Sequence, residues 1–227
     1  EVLRAKRHRR GSIDFELPEV KVKLDADGHP VALEKRTGSI GESIIEECML
    51  AANETVARHM ELKEEPFVYR VHETPTSEKI ERLQSLLAAL GLRLHVDEDG
   101  KVRPSDIQQV LDRVKGQPEE RIIGAVALRS MQQAVYEPNC DGHFGLAYDA
   151  YAHFTSPIRR YPDLTVHRAI KAVLAGEKYN PGKSWQELGV HTSFCERRAD
   201  DASRDVENWL KTYYMRDKVG EVFGGKI

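Results

Sequence analysis

The sequence has few cysteines and no long apolar run. Its three cysteines, Cys48, Cys140 and Cys195, are widely spaced and form no CxxC pair, which favours neither a disulfide framework nor a cysteine zinc site. No stretch approaches the roughly 18 apolar residues of a membrane-spanning helix. The basic start, residues 1–10, lacks the apolar segment of a secretory signal. We therefore expect a globular cytoplasmic protein that has no membrane partner.

The sequence also lacks the motifs of several enzyme classes. It contains no HExxH, no GxSxG and no histidine pair at metal-ligand spacing, so its nine histidines do not specify a zinc site. Residues 220–226 have the GxxxxGK spacing of a phosphate-binding loop, but Ile227 stands where the motif needs Ser or Thr. We expect no metal ligand within this chain and no small-molecule organic cofactor.

Charge is plentiful but unevenly placed. The net charge of −3 argues against a nucleic-acid partner, because phosphate binding depends on lysine and arginine that neutralise the backbone. Positive residues are nevertheless concentrated at 6–10 and again from Arg159 to Lys171. The acidic residues are spread over the polar faces of predicted helices. The charge pattern therefore leaves open a local basic channel on an acidic protein.

Hydrophobic periodicity predicts an α+β fold that is rich in helix and has short antiparallel strands. Strands are predicted at 13–24 and 31–35, which form a hairpin, and at 67–71, 134–136, 144–148 and 219–227. Helices are predicted at 74–90, 105–115, 118–133 and 184–218, at 39–62, and from Pro162 onward. Proline at a first helical position and glycine after a last one mark several of these ends.

The most informative stretch is 151–168. Pro157 and Pro162 bracket an arginine pair, so the chain leaves a strand, makes a tight excursion over 156–161 and then enters a helix. This geometry would present the guanidinium group of Arg159 from a stiff backbone. A rigid turn with an exposed arginine is suited to binding an anion.

Two interpretations of this stretch remain open from the residues alone. In the first, Arg159 forms a planar fork with phosphate oxygens, while Tyr151, Phe154 and Tyr161 offer rings to a base or ribose. In the second, Arg159 and Arg160 pair with neighbouring carboxylates at a helix start. The aromatic rings would then fill the core.

The stretch from Ala150 to Ala169 closely resembles the signature segment of the ribonuclease II/R family of 3′→5′ exoribonucleases. Three further blocks are similar to that family and occur in its order: RRGSIDF at 9–15, IEECMLAAN at 45–53, and the block at 196–210. The resemblance covers nearly the whole chain. It leans toward the ribonuclease R branch of the family.

This resemblance implies processive hydrolysis of single-stranded or structured RNA from its 3′ end, with release of nucleoside 5′-monophosphates and with magnesium (Mg2+) as the cofactor. It implies that Arg159 is the catalytic arginine that holds the scissile phosphate and that Glu46 lies near the terminal nucleotides. The other candidates for RNA binding are Arg160, Tyr151, Tyr161 and His167. For Glu46 the alternative is a solvated helix glutamate, and for His167 a core histidine.

The resemblance also implies that the chain is the C-terminal half of an RNB-type catalytic domain. The family's magnesium-binding aspartate cluster precedes the block that begins this sequence, and no such constellation is present here. Residues 1–218 would belong to the catalytic domain, and 219–227 would begin a truncated OB-type RNA-binding domain. The chain alone is then expected to be inactive. The alternative is a non-catalytic RNA-binding or scaffold module with an RNB-like fold.

Overall fold

The chain consists mainly of helices and also contains two short antiparallel strand pairs, as the hydrophobic periodicity predicts. The computed structural model describes residues 1–15, 19–36 and 38–224. The helices are α1 (Val2–Arg10), α2 (Ile40–Leu62), α3 (Ser77–Ala89), α4 (Pro104–Val114), α5 (Glu120–Ser130), α6 (Tyr161–Leu174) and α7 (Trp185–Met215). The strands are β1 (Val20–Leu24), β2 (Pro30–Lys35), β3 (Tyr69–Val71) and β4 (Val135–Glu137). The predicted α+β class is confirmed.

The chain divides into two units. The first lies within 1–17 and 40–193, and the second within 18–39 and 194–227. The second unit contains the β1–β2 hairpin and the later part of α7, where Trp209 and Tyr213 are in ring contact. The other helices and the β3–β4 pair belong to the first unit. The first unit therefore also contains residues 151–168, here called the arginine-rich stretch.

Three helices of the first unit form one apolar cluster. The stripes of α3, α4 and α5 converge because their apolar residues recur at three- and four-residue spacing. The fully buried members are Ile80, Leu83, Leu87, Ile107, Val114 and Ile123. Burying one such side chain contributes about 1.5–3 kcal/mol. This cluster therefore accounts for the stability of the helical segment between α2 and β4.

A second apolar cluster supports the arginine-rich stretch. It joins Met60 of α2, Phe67 beside β3, and Val166 of α6, all of which are fully buried. β4 pairs with one edge of β3, and at the other edge the backbone N–H of Arg70 donates to the carbonyl of Tyr151 at 2.8 Å. The segment that leads into the arginine-rich stretch thus runs beside β3 and over a packed core.

The prediction of a strand at 144–148 is wrong. Residues Phe144–Leu146 form a 3₁₀ turn instead. The backbone N–H of Gly145 donates to Nδ1 of His72 at 3.0 Å, and Ala147 adopts a left-handed φ of 53°. A Cβ atom at position 145 would lie only 2.9 Å from that ring nitrogen. The backbone N–H of Gly145 is thus satisfied by a side chain from a distant segment and not by a neighbouring strand.

Several predicted boundaries also differ. The basic start forms α1, which the sequence did not suggest, and α3 begins at Ser77 rather than beside Thr74. The first strand begins at Val20 rather than Ile13, and the parts of the predicted strands at 16–18 and 225–227 lie outside the described residues. Over 219–224 the chain forms no strand. Within the described residues, no helix is both long and apolar enough to span a membrane.

Gly189 in α7 provides a test of how closely this helix packs on the β3–β4 pair. A Cβ atom at this position would collide with the carbonyl oxygen of Tyr136 in β4 and would lie 3.0 Å from the carbonyl carbon. We expect Gly189→Ala to lower the free energy of unfolding by about 1–3 kcal/mol, although alanine favours helix by about 1 kcal/mol. Urea unfolding measures this. Val190→Ala, at an exposed position of the same turn, should change stability by less than about 0.5 kcal/mol; equal effects would contradict the close packing.

Candidate functional site

The residues 156–160 form a tight turn, here called the arginine turn. The carbonyl of Ser156 accepts the backbone N–H groups of Arg159 at 3.3 Å and of Arg160 at 3.0 Å. Ile158 at its tip is fully exposed. The side chain of Arg159 is exposed and makes no hydrogen bond or ion pair with another described residue. The turn therefore presents one uncommitted guanidinium group to solvent.

Arg160 behaves differently from its neighbour. Its Nη2 donates to Oδ1 of Asp163 at 2.7 Å, and the carboxylate of Asp163 is fully buried. The same oxygen accepts the backbone N–H of Ser156 at 2.7 Å. The helix-start ion pair that the sequence left open thus exists for Arg160 and not for Arg159.

Asn53 of α2 holds the segment that precedes the turn. Its Nδ2 donates to the hydroxyl of Tyr151 at 2.9 Å, and its Oδ1 accepts the backbone N–H of Phe154 at 3.0 Å. Tyr151 is 5% exposed, and its ring lies parallel to that of Tyr148. The ring of Phe154 stacks on His167 of α6, whose Nε2 donates to the carbonyl of Phe154 at 2.9 Å. Tyr151 and His167 are therefore engaged in positioning the segment.

Two half-buried histidines, His143 and His153, lie beside this segment, and their surroundings favour the neutral form. The hydroxyl of Tyr136 lies 2.8 Å from Nδ1 of His153. Burial, then the positive charges of Arg160 and Arg70, lower the pKa of His153 to about 2. Burial, together with His72 and Arg70, lowers the pKa of His143 to about 3. At neutral pH the local positive charge therefore comes from the arginines.

Arg70 is a cation that the sequence analysis did not single out. Its backbone belongs to β3, and its guanidinium carbon lies 4.6 Å from the ring centroid of Tyr136. The positive charges of Arg70, Arg159 and Arg160, which come from two separate segments, all lower the pKa of His153. Such a concentration of positive charge attracts an anion despite the net negative charge of the chain.

The other two predicted residues lie at different places. Tyr161, the first residue of α6, is 48% exposed beside the arginine turn. Glu46 of α2 accepts a hydrogen bond from Nη1 of Arg7 at 2.9 Å, and that nitrogen also lies 3.1 Å from Glu47. Glu46 precedes Asn53 by about 10 Å along the same helix face. The roles predicted for Tyr161 and Glu46 in RNA binding stay predictions.

Sequence reasoning missed several side chains of this site. Asn53 is buried and makes two hydrogen bonds across the core, a role that the sequence analysis did not predict. Its position among apolar residues at helical spacing was a usable signal, because a buried amide needs partners. Arg70 and His153 gave no such signal, since their proximity depends on β3 and the segment around Tyr151 lying side by side.

One group of possible metal ligands occurs among the described residues. It comprises Asp25, Asp27 and His29, whose ligand atoms lie within 4.8 Å of one another. All three are exposed in the β1–β2 turn, and Oδ1 of Asp25 accepts the backbone N–H groups of Asp27 and His29. The group belongs to the second unit, whereas Arg159 belongs to the first. Because one carboxylate already serves the turn, the group does not fit a catalytic magnesium site.

The comparison with known proteins identifies the family. A family model described as the RNB domain matches residues 1–176. The chain belongs to the RNB domain family. It is 44% identical to ribonuclease R of Escherichia coli (strain K12) and 44% identical to ribonuclease R 1 of Lactococcus lactis, over its whole length in both cases. It spans 29% and 28% of these two relatives.

Several solved structures have a similar fold. Ribonuclease R of Mycoplasma genitalium in complex with ribose-methylated single-stranded RNA matches with a TM-score of 0.90 and 27% identity, over 97% of this chain and 35% of that one. The same enzyme with double-stranded RNA gives a TM-score of 0.91 and 28% identity, over 99% and 41%. Yeast Ssd1, a pseudonuclease, matches with a TM-score of 0.59 and 24% identity over 70% of this chain and 20% of that one, which shows the fold alone.

The lowered pKa values of the half-buried His143 and His153 predict a loss of stability in mild acid. An unfolded histidine has a pKa of about 6.5, whereas the folded pKa values of His143 and His153 are about 3 and about 2. As the pH falls below about 6.5, the unfolded chain binds protons first, so stability is complete above that pH and is lost toward pH 3. Each of the two groups should lower the free energy of unfolding by about 1.4 kcal/mol per pH unit.

Urea unfolding between about pH 7 and pH 5 measures this slope before most carboxylates titrate. His153→Phe should make the slope shallower. Val190→Ala, which changes an exposed side chain that does not titrate, is the control and should leave the slope unchanged. A flat stability profile in the wild type would show that the histidines are solvated and protonate in the folded state.

Proposed function

We propose that this chain is part of a processive exoribonuclease, a hydrolase that degrades RNA from its 3′ end and releases nucleoside 5′-monophosphates. The support is the 44% identity to ribonuclease R relatives across the whole chain. RNA as the partner is supported by the similar Mycoplasma enzyme, which was solved with single-stranded and with double-stranded RNA. A cytoplasmic setting is part of the same proposal.

The observation that carries this proposal is the exposed guanidinium group of Arg159 on a fixed turn. Its neighbour Arg160 is committed to Asp163, so Arg159 is the member of the pair that can reach a ligand. A guanidinium group can bind two phosphate oxygens at once through parallel N–H donors. Held in place before the reaction, it would neutralise negative charge that develops on the scissile phosphate.

The remaining predicted residues would contribute in two ways. Tyr161 is exposed at the start of α6 and offers a ring to a base or ribose. Arg160, Tyr151 and His167 already make internal contacts, and we propose that they act on RNA by holding the arginine turn in position. Glu46 would meet the RNA from α2, where its carboxylate is 59% exposed despite its contact with Arg7.

Magnesium is proposed as the cofactor of the intact protein. Since Asp25, Asp27 and His29 do not fit a catalytic site, its ligands would come from carboxylates outside this chain. When bound, the ion would supply an activated water as the nucleophile. The residues of this chain would bind and orient the phosphate.

A second candidate function is a non-catalytic RNA-binding or scaffold module. It is favoured by the match to yeast Ssd1, a pseudonuclease with the same fold. The two candidates differ in the parent protein, because an enzyme needs an intact cluster of aspartates upstream of the block that begins here. Sequencing the gene upstream of Glu1 distinguishes them directly.

Substitution of Arg159 in the intact protein tests the catalytic assignment. We expect Arg159→Ala to slow single-turnover cleavage of short RNA at saturation by about 10²–10³-fold, since one preorganised electrostatic group is lost. Arg159→Lys should recover only part of this, because it keeps the charge and loses the planar fork. The melting temperature should hardly change. Arg82→Ala, which removes an exposed arginine of α3 paired with Glu78, is the matched control and should cleave normally. A normal rate for Arg159→Ala would refute the assignment.

The isolated 227-residue chain should not hydrolyse RNA in the presence of magnesium, because a positioning arginine cannot replace the ion that generates the nucleophile. Weak binding to single-stranded RNA that decreases with salt should survive. Product analysis of the purified chain with labelled RNA, with and without a chelator, measures both. Release of 5′-monophosphates that the chelator abolishes would mean that the chain supplies the metal ligands itself.

A further inference from the structure

Two helices of the first unit begin with the same spacing of arginine and aspartate. α4 starts with Arg103-Pro104-Ser105-Asp106, and α6 with Arg160-Tyr161-Pro162-Asp163. At α4 the carboxylate of Asp106 accepts three hydrogen bonds from Arg103, each 3.0 Å long: from its backbone N–H, from Nε and from Nη2. This aspartate caps its own helix and uses both oxygens on one residue.

The aspartate of α6 is used differently. Oδ1 of Asp163 accepts the backbone N–H of Ser156 at 2.7 Å and Nη2 of Arg160 at 2.7 Å. The N–H of Arg160 is not capped by Asp163; it donates to the carbonyl of Ser156. One carboxylate oxygen therefore joins the first and last residues of the arginine turn, and Arg159 lies between them.

The hydrogen bonding of Asp163 does not maximise the stability of the fold. Asp163 is fully buried, and its Oδ2 and the Nε of Arg160 are buried without a hydrogen-bond partner among the described residues. Buried polar atoms without partners destabilise a fold, and a buried ion pair stabilises it only when its hydrogen bonds are complete. The pair of Arg103 and Asp106 has the same spacing and leaves no such atom, because the side chain of Arg103 is 69% exposed and both oxygens of Asp106 accept from it. Helix capping therefore does not account for the geometry at α6.

We propose that Asp163 is a positioning residue for Arg159: by tying the Ser156 amide and the Arg160 side chain to one buried oxygen, it fixes the turn that aims the Arg159 guanidinium at the scissile phosphate. This inference rests on the proposed function. It adds a residue whose role is exerted through the backbone of the turn and not through contact with RNA. A misplacement of about 1 Å at a reacting centre can lower a rate by about a hundredfold.

A double-mutant cycle in the intact protein tests the coupling. Asp163→Asn keeps the size of the side chain and an acceptor for the Ser156 amide, but removes the ion pair with Arg160. We expect it to slow single-turnover cleavage by about 10–100-fold. In the Arg159→Ala background the same change should slow cleavage by less than about threefold, since there is no guanidinium left to position.

Asp106→Asn is the matched control, because it weakens the equivalent ion pair at α4. It should lower the thermal stability less than Asp163→Asn does, because Arg103 is largely exposed, and it should leave the cleavage rate unchanged. If Asp163→Asn does not fold, Arg160→Lys provides the second variant, since it retains a positive charge beside the carboxylate. Its rate loss should likewise disappear in the Arg159→Ala background.

The outcomes are separable. The inference is overturned if the rate losses of Asp163→Asn and Arg159→Ala multiply in the double variant, or if Asp163→Asn cleaves at the normal rate. Either result leaves the proposed function standing. A wild-type protein that cleaves no RNA overturns the proposed function, and with it the inference as stated. Amide hydrogen exchange at Arg159 and Arg160 reads the turn without any activity: Asp163→Asn should accelerate it and Asp106→Asn should not. Equal exchange in both variants would also refute the positioning role.

Discussion

The buried side-chain amide of Asn53 is the contact on which the candidate site depends. It joins α2 to the segment that leads into the arginine turn, with one hydrogen bond to the hydroxyl of Tyr151 and one to the backbone of Phe154. Because an amide buried without partners would cost about 1–3 kcal/mol, this residue favours one arrangement of the segment over its alternatives. The turn then begins from a backbone that is hydrogen-bonded on one side to Asn53 and on the other to β3.

Burial also decides which groups carry charge at the site. His143 and His153 lie near arginines, and both favour the neutral form because partial burial and the neighbouring positive charges disfavour a further charge. The positive potential therefore rests on guanidinium groups, which stay charged at every physiological pH. In this respect the site is electrostatically constant. A histidine with a normal pKa would have made the local charge vary with acidity.

The arginine pair divides two tasks that a single arginine cannot perform together. Arg160 gives its hydrogen-bonding capacity to the interior, whereas Arg159 keeps its own for solvent. This chain thus combines a buried ion pair with an exposed cation in adjacent residues. The same fold occurs in ribonuclease R and in the pseudonuclease Ssd1, so the scaffold itself does not decide whether chemistry takes place. That decision depends on which side chains and ions complete the site.

The sequence by itself determined the class of the fold, the positions of most helices, and the family. Periodic apolar residues specify a helix through local spacing alone, and the signature from Ala150 to Ala169 is contiguous, so both can be read along the chain. For Arg159 and Arg160 the sequence left two interpretations, which were phosphate binding and ion pairs at a helix start. Only the tertiary structure showed that Arg160 makes the ion pair and that Arg159 remains exposed, because the partner of Arg160 is a carboxylate whose burial depends on packing. The turn at 144–148 and the convergence of Arg70 with the arginine turn were likewise decided by contacts between segments far apart in sequence, for which local periodicity carries no signal.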